Sequence, residues 1–75
     1  MDVNPNLLAY AIDELSEAFG PGPTIELLAR HAIRLSFKYR KFYAFKKEMR
    51  RLGFLYKSTE HVVMKRIFWK VKHDG

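Results

Sequence analysis

The chain has no cysteine and no glutamine, and its 75 residues include only three prolines and four glycines. Without cysteine there is neither a disulfide framework nor a thiolate metal site, so side-chain packing alone must hold the fold. No apolar run approaches the roughly 20 residues that a membrane span needs. The opening stretch MDVNPNLLAYAIDEL has no basic leader and turns acidic within its apolar part, unlike a secretory signal. These absences predict a soluble, cytoplasmic protein. Missing glutamine beside abundant Lys and Arg is a bias of proteins from hot habitats and hints at a thermophilic source. The length allows one small domain over 1–75, with a modest core.

Chemistry-bearing patterns are equally scarce. His31, His61 and His73 are scattered, without the spacing of a metal site or a nucleophile-base pair. Ser16, Ser36 and Ser58 stand in no catalytic motif. The GPGP at residues 20–23 lacks the lysine and helix start of a phosphate-binding loop. The expectation is a protein that is not an enzyme, with no catalytic residue, no metal, no cofactor and no small-molecule substrate.

What the chain does have is segregated charge. Residues 1–35 carry five acids and two bases, a net −3, whereas residues 36–75 carry twelve bases against three acids, a net +9. The overall +6 is therefore polarised, which suits a face built for phosphate or for another acidic surface.

Asn4-Pro5 reads as an N-cap followed by proline at the first helical position, and Leu8, Ala11, Ile12, Leu15, Ala18 and Phe19 recur at helical spacing. GPGP then breaks the chain, with Gly20 as a C-cap. A second helix opens at Thr24, with Ile25, Leu28, Ala29, Ala32, Ile33 and Leu35 as its buried stripe. Ser36 is a candidate N-cap for a third helix. On that helix Phe42, Phe45, Met49 and Leu52 share one face, and the opposite face, centred on Lys47, gathers Arg40, Tyr43, Ala44, Arg50 and Arg51. One helix can thus serve the core on one side and a polyanion on the other. Beyond Gly53, FLYKS and VVMKRIFWKVK are rich in β-branched and aromatic residues and flank the polar TEH, which reads as two antiparallel strands with Ile67, Trp69 and Val71 facing the core.

Three helices, about 5–19, 24–35 and 37–52, followed by a hairpin at about 54–72, give an α+β fold that resembles the winged helix-turn-helix family. That family commonly places apolar residues eleven, eight and four positions before the glycine closing its recognition helix; counting back from Gly53 gives Phe42, Phe45 and Met49. The RLGF ending and the basic Arg66-Ile67-Phe68-Trp69 are also similar to small winged-helix domains of primases and helicases in archaeal viruses and plasmids. The resemblance runs from about Leu7 to Lys72. It implies a double-stranded DNA-binding protein acting in transcription regulation or as a replication accessory factor. Lys38, Arg40, Lys41, Tyr43, Lys47, Arg50 and Arg51 would form the DNA-binding helix face, with Arg40 and Lys47 nearest the bases. Lys57, Lys65 and Arg66 would form the wing.

Two further readings stand beside this one. The Leu7, Tyr10 and Ala11 stripe of the first helix could pair with a second copy as a homodimer. Alternatively, the winged helix could be a protein-protein interaction module offering its basic face to an acidic partner. Docking on a membrane is not expected, because the apolar stripe is more economically a core stripe.

Overall fold

The structure, a computed structural model, describes residues 3–54 and 57–74. Four helices follow one another: α1 (Pro5–Phe19), α2 (Thr24–Lys38), α3 (Phe42–Arg51) and α4 (Ser58–Asp74). Helices α1, α2 and α4 pack mutually; α3 touches α2 and α4 but not α1.

The helix boundaries follow from local chemistry. The Asn4 side chain accepts hydrogen bonds from the backbone N–H groups of Asn6 at 2.8 Å and Leu7 at 3.4 Å, and Pro5 fills the first position, where no donor is needed. Helix α3 ends in a Schellman motif. The Phe54 N–H donates to the Met49 carbonyl at 2.9 Å and the Gly53 N–H to that of Arg50 at 3.0 Å, with Gly53 at a φ of 86° that favours glycine.

Two boundaries differ from expectation. Helix α2 runs through Ser36 to Lys38, and α3 begins at Phe42 rather than near residue 37. Ser36 is buried inside α2, and its hydroxyl donates to the Ala32 carbonyl at 2.7 Å, four residues back along the same helix, so it caps nothing. A turn of three residues, Tyr39, Arg40 and Lys41, separates the helices, with Tyr39 and Lys41 in extended conformations.

The larger correction concerns the C-terminal third. The α+β winged fold is not what forms: the chain is all-helical, with no strand or hairpin among the described residues, and the expected second strand lies within α4. Residues 55 and 56 of the expected first strand lie outside the described residues. The physical reason is spacing. Val63, Met64, Ile67, Phe68 and Val71 recur every three to four residues and all are buried, whereas the alternating pattern required Lys65 as an exception and Trp69 inside. A single helical face buries all five, which outweighs the β-propensity of the individual residues. Glu60 supports the start of this helix, its carboxylate accepting the Lys57 N–H at 2.9 Å in the manner of half a capping box.

The core joins Leu7, Ala11 and Leu15 of α1 with the α2 stripe and the inner face of α4. Leu7 and Ala11, named above for a dimer contact, are therefore interior. Helix α3 is anchored by the buried Phe45 and Met49. Phe42, Phe45 and Phe68 form an aromatic cluster with ring centroids 5.3–5.6 Å apart. At about 15 Å, α3 is short, and with only two neighbours it keeps one face open to solvent.

Candidate nucleic-acid interface

That open face carries the cations. Tyr43, Lys46, Lys47 and Arg50, at helical positions i, i+3, i+4 and i+7, line one surface concavity of about 250 Å³. Tyr43 stands at its edge with 70% of its surface exposed. None of the three cations has an acidic partner among the described residues. The positive field is felt nearby on α4, where burial first, and then Arg50 and Lys46, hold the His61 imidazole below its ordinary pKa of 6.5.

The preceding turn extends the charge. Arg40 and Lys41 are exposed in it and have no acidic partner among the described residues, and Lys38 closes α2 with its Nζ 5.4 Å from the centre of the Tyr39 ring. The turn is fixed from beneath by Lys72 of α4, whose Nζ donates to the carbonyls of Ser36 at 2.5 Å and Tyr39 at 2.7 Å. Lys72 thus satisfies carbonyl groups at the end of α2.

The expected residues divide unequally. Tyr43, Lys47 and Arg50 are brought together on α3, with Lys38, Arg40 and Lys41 on the adjoining helix end and turn. Arg51 is committed elsewhere: its Nε lies 3.1 Å from each Glu48 carboxylate oxygen, and the pair holds the Glu48 carboxyl below the usual range and the guanidinium above it. Lys57, Lys65 and Arg66 form no wing. Lys57 precedes α4, while Lys65 and Arg66 lie along that helix in a separate concavity with Val62 and Trp69. Arg66 pairs with Glu14 of α1 at 3.4 Å. Lys46 was missed by the sequence reading, although its spacing from Tyr43 and Arg50 is the signal that places it.

Other surfaces offer less chemistry. Another concavity, about 540 Å³, lies where Phe19, Pro21, Leu27, Leu28 and Phe54 meet, and its one charged lining residue is Glu60. No group of three His, Cys, Asp or Glu side chains among the described residues is placed to hold a metal ion. No helix among them is long and apolar enough to cross a membrane. Comparison with protein-family models, with curated proteins and with solved structures finds no match.

Proposed function

We propose that this protein binds double-stranded DNA, with α3 in the major groove and the turn at residues 39–41 against the phosphate backbone. The carrying observation is the concavity of Tyr43, Lys46, Lys47 and Arg50, whose three cations have no acidic partner among the described residues. Two helices joined by a turn of three residues, the second with an open basic face, match the way helix-turn-helix readers approach DNA. A major groove about 12 Å wide accommodates such a helix.

The roles divide by chemistry. Arg50 has the planar fork that matches the two acceptors of guanine, and Lys47 acts as a point charge beside it. Arg40, Lys41 and Lys38 are suited to phosphates, which fix register without reading sequence. Tyr43 can donate its hydroxyl to the backbone. A role in transcription regulation or replication, for a virus or plasmid, extends the sequence resemblance and belongs to the same proposal.

The test is selection from a randomised duplex pool at roughly 0.15 M salt, followed by salt titration of the recovered duplex. Six cations on α3 and the adjoining residues, without an acidic partner among the described residues, set the steepest expected dependence, a slope of log affinity on log salt near −5. Lys47→Ala and Arg50→Ala should each reduce that slope by about one. Undiminished duplex binding by the double variant would overturn the assignment, as would no duplex binding at low salt.

A further inference from the structure

Helix α4 turns an apolar centre outward as well as inward. Its buried side is Val63, Met64, Ile67, Phe68 and Val71, and at about 100° per residue the opposite direction falls on Val62, Lys65 and Trp69. Val62 is 52% exposed and Trp69, the chain's only tryptophan, 45% exposed; with Lys65 and Arg66 they line a concavity of about 330 Å³. The Trp69 ring stands edge-on to Phe68, with centroids 5.2 Å apart and planes at 86°.

Charge flanks this centre in a definite order. On one side Arg66 pairs with Glu14 of α1 at 3.4 Å, and beyond Glu14 helix α1 exposes Asp13 and Glu17, four positions apart on one face. On the side away from α1 lies Lys65, about 100° further round α4 than Arg66. Asp13, Glu17 and Lys65 have no oppositely charged partner among the described residues. The surface thus runs from the acids of α1, through a neutralised pair and an apolar centre, to a cation.

The heights along the helices match as well. Lys70 lies over the Tyr10 ring at 5.3 Å and Arg66 pairs with Glu14, so α4 steps back four residues as α1 advances four, and the two helices are antiparallel. In that register Asp13 stands level with Ile67 and Glu17 with Val63. Lys65 lies midway between those two levels.

We propose that this α1–α4 face docks a second copy of the chain about a two-fold axis parallel to α4. Such an axis keeps each height and exchanges the two sides, so Lys65 of each copy comes between Asp13 and Glu17 of the other while Val62 and Trp69 cover their own counterparts. Other occupants meet a mismatch. An acidic segment or a duplex would face Asp13 and Glu17, and a basic segment would face Lys65. The patch is small, so association belongs at the weak end, with a dissociation constant of about 10 µM or above. None of these residues lines the α3 concavity, and the inference stands apart from the DNA-binding reading.

The test is sedimentation equilibrium of the full chain between roughly 1 and 500 µM at about 0.15 M salt, with Trp69 emission read over the same range. Monomer should pass to dimer with no larger species, and the emission should move to the blue in step. The double variant Asp13→Lys, Glu17→Lys and the single variant Lys65→Glu, all at exposed positions, should each weaken self-association about tenfold or more. Mixed in equal amounts, the two variants should recover the dimer, because each then offers the charge that the other requires. Lys47→Ala and Arg50→Ala should leave it unchanged. A monomer at every concentration, association without a Trp69 shift, undiminished association of Lys65→Glu, or a mixture of the two variants that stays monomeric would overturn the proposal.

Discussion

The ammonium of Lys72, near the C-terminus of α4, donates to the carbonyl of Tyr39 at 2.7 Å, across 33 positions of sequence. It also reaches the Ser36 carbonyl, and it lies 4.8 Å from the centre of the Phe68 ring. One charged group thus closes the end of α2, fixes the start of the basic turn and covers the aromatic cluster beneath α3. Lys72→Met keeps most of the stem and removes the charge-assisted hydrogen bonds, leaving two carbonyls short of a donor. We expect a loss of about 1–2 kcal/mol, read from the urea midpoint at unchanged slope. Hydrogen exchange should quicken at the amides of residues 39–41 before it does in α1.

Glu48 is the one acid on α3, and it holds Arg51 out of the candidate interface. Replacing it with glutamine removes an exposed pair of little consequence for stability and frees a guanidinium beside Arg50. Glu48→Gln should therefore tighten duplex binding and steepen its salt dependence by about one. A variant with weaker binding would mean that Glu48 accepts from DNA rather than neutralising Arg51.

Much of this arrangement could be read from the sequence, and the failures have identifiable causes. Asn4-Pro5 and GPGP mark the ends of α1 because they act through backbone geometry alone, and Gly53 closes α3 for the same reason. The break between α2 and α3 carries no such mark. Ser36 looks like a cap, yet its hydroxyl turns back to Ala32, a choice made by burial that sequence does not display. In α4 the β-branched and aromatic residues of VVM and IFW argue for strands, whereas the spacing of Val63, Met64, Ile67, Phe68 and Val71 argues for a helix. Packing against α1, α2 and α3 decides for the spacing. For the interface, Tyr43, Lys47 and Arg50 were legible as one helix face. The withdrawal of Arg51 by Glu48 and of Arg66 by Glu14 depends on side-chain placement that face counting does not resolve.

The depressed imidazole of His61 makes stability depend on pH in a definite direction. Burial, then Arg50 and Lys46 of α3, disfavour its charged form, while Glu60 on its own helix opposes them. The unfolded chain takes up this proton near 6.5 and the folded chain only at lower pH, so the unfolded state binds more protons in between. His61 therefore leaves stability intact above about pH 6.5 and erodes it as pH falls through that value toward the folded pKa. His61→Gln should flatten the melting temperature between about pH 5 and 7. An equal acid-side loss in the variant would assign the effect to other groups.

Ile67 and Trp69 separate the helical reading of the C-terminal third from the strand it displaced. In a strand the two share a face and both enter the core; in α4 they lie about 200° apart, with Ile67 at 1% exposure and Trp69 at 45%. Ile67→Ala should cost about 2–5 kcal/mol through lost burial and the cavity left behind, a large part of the stability of so small a domain. Trp69→Ala, which leaves no internal void, should cost about 1 kcal/mol or less, mainly through the edge contact with Phe68. Denaturation of the two variants side by side decides the matter, because comparable large losses would put both residues on one buried face and restore the strand.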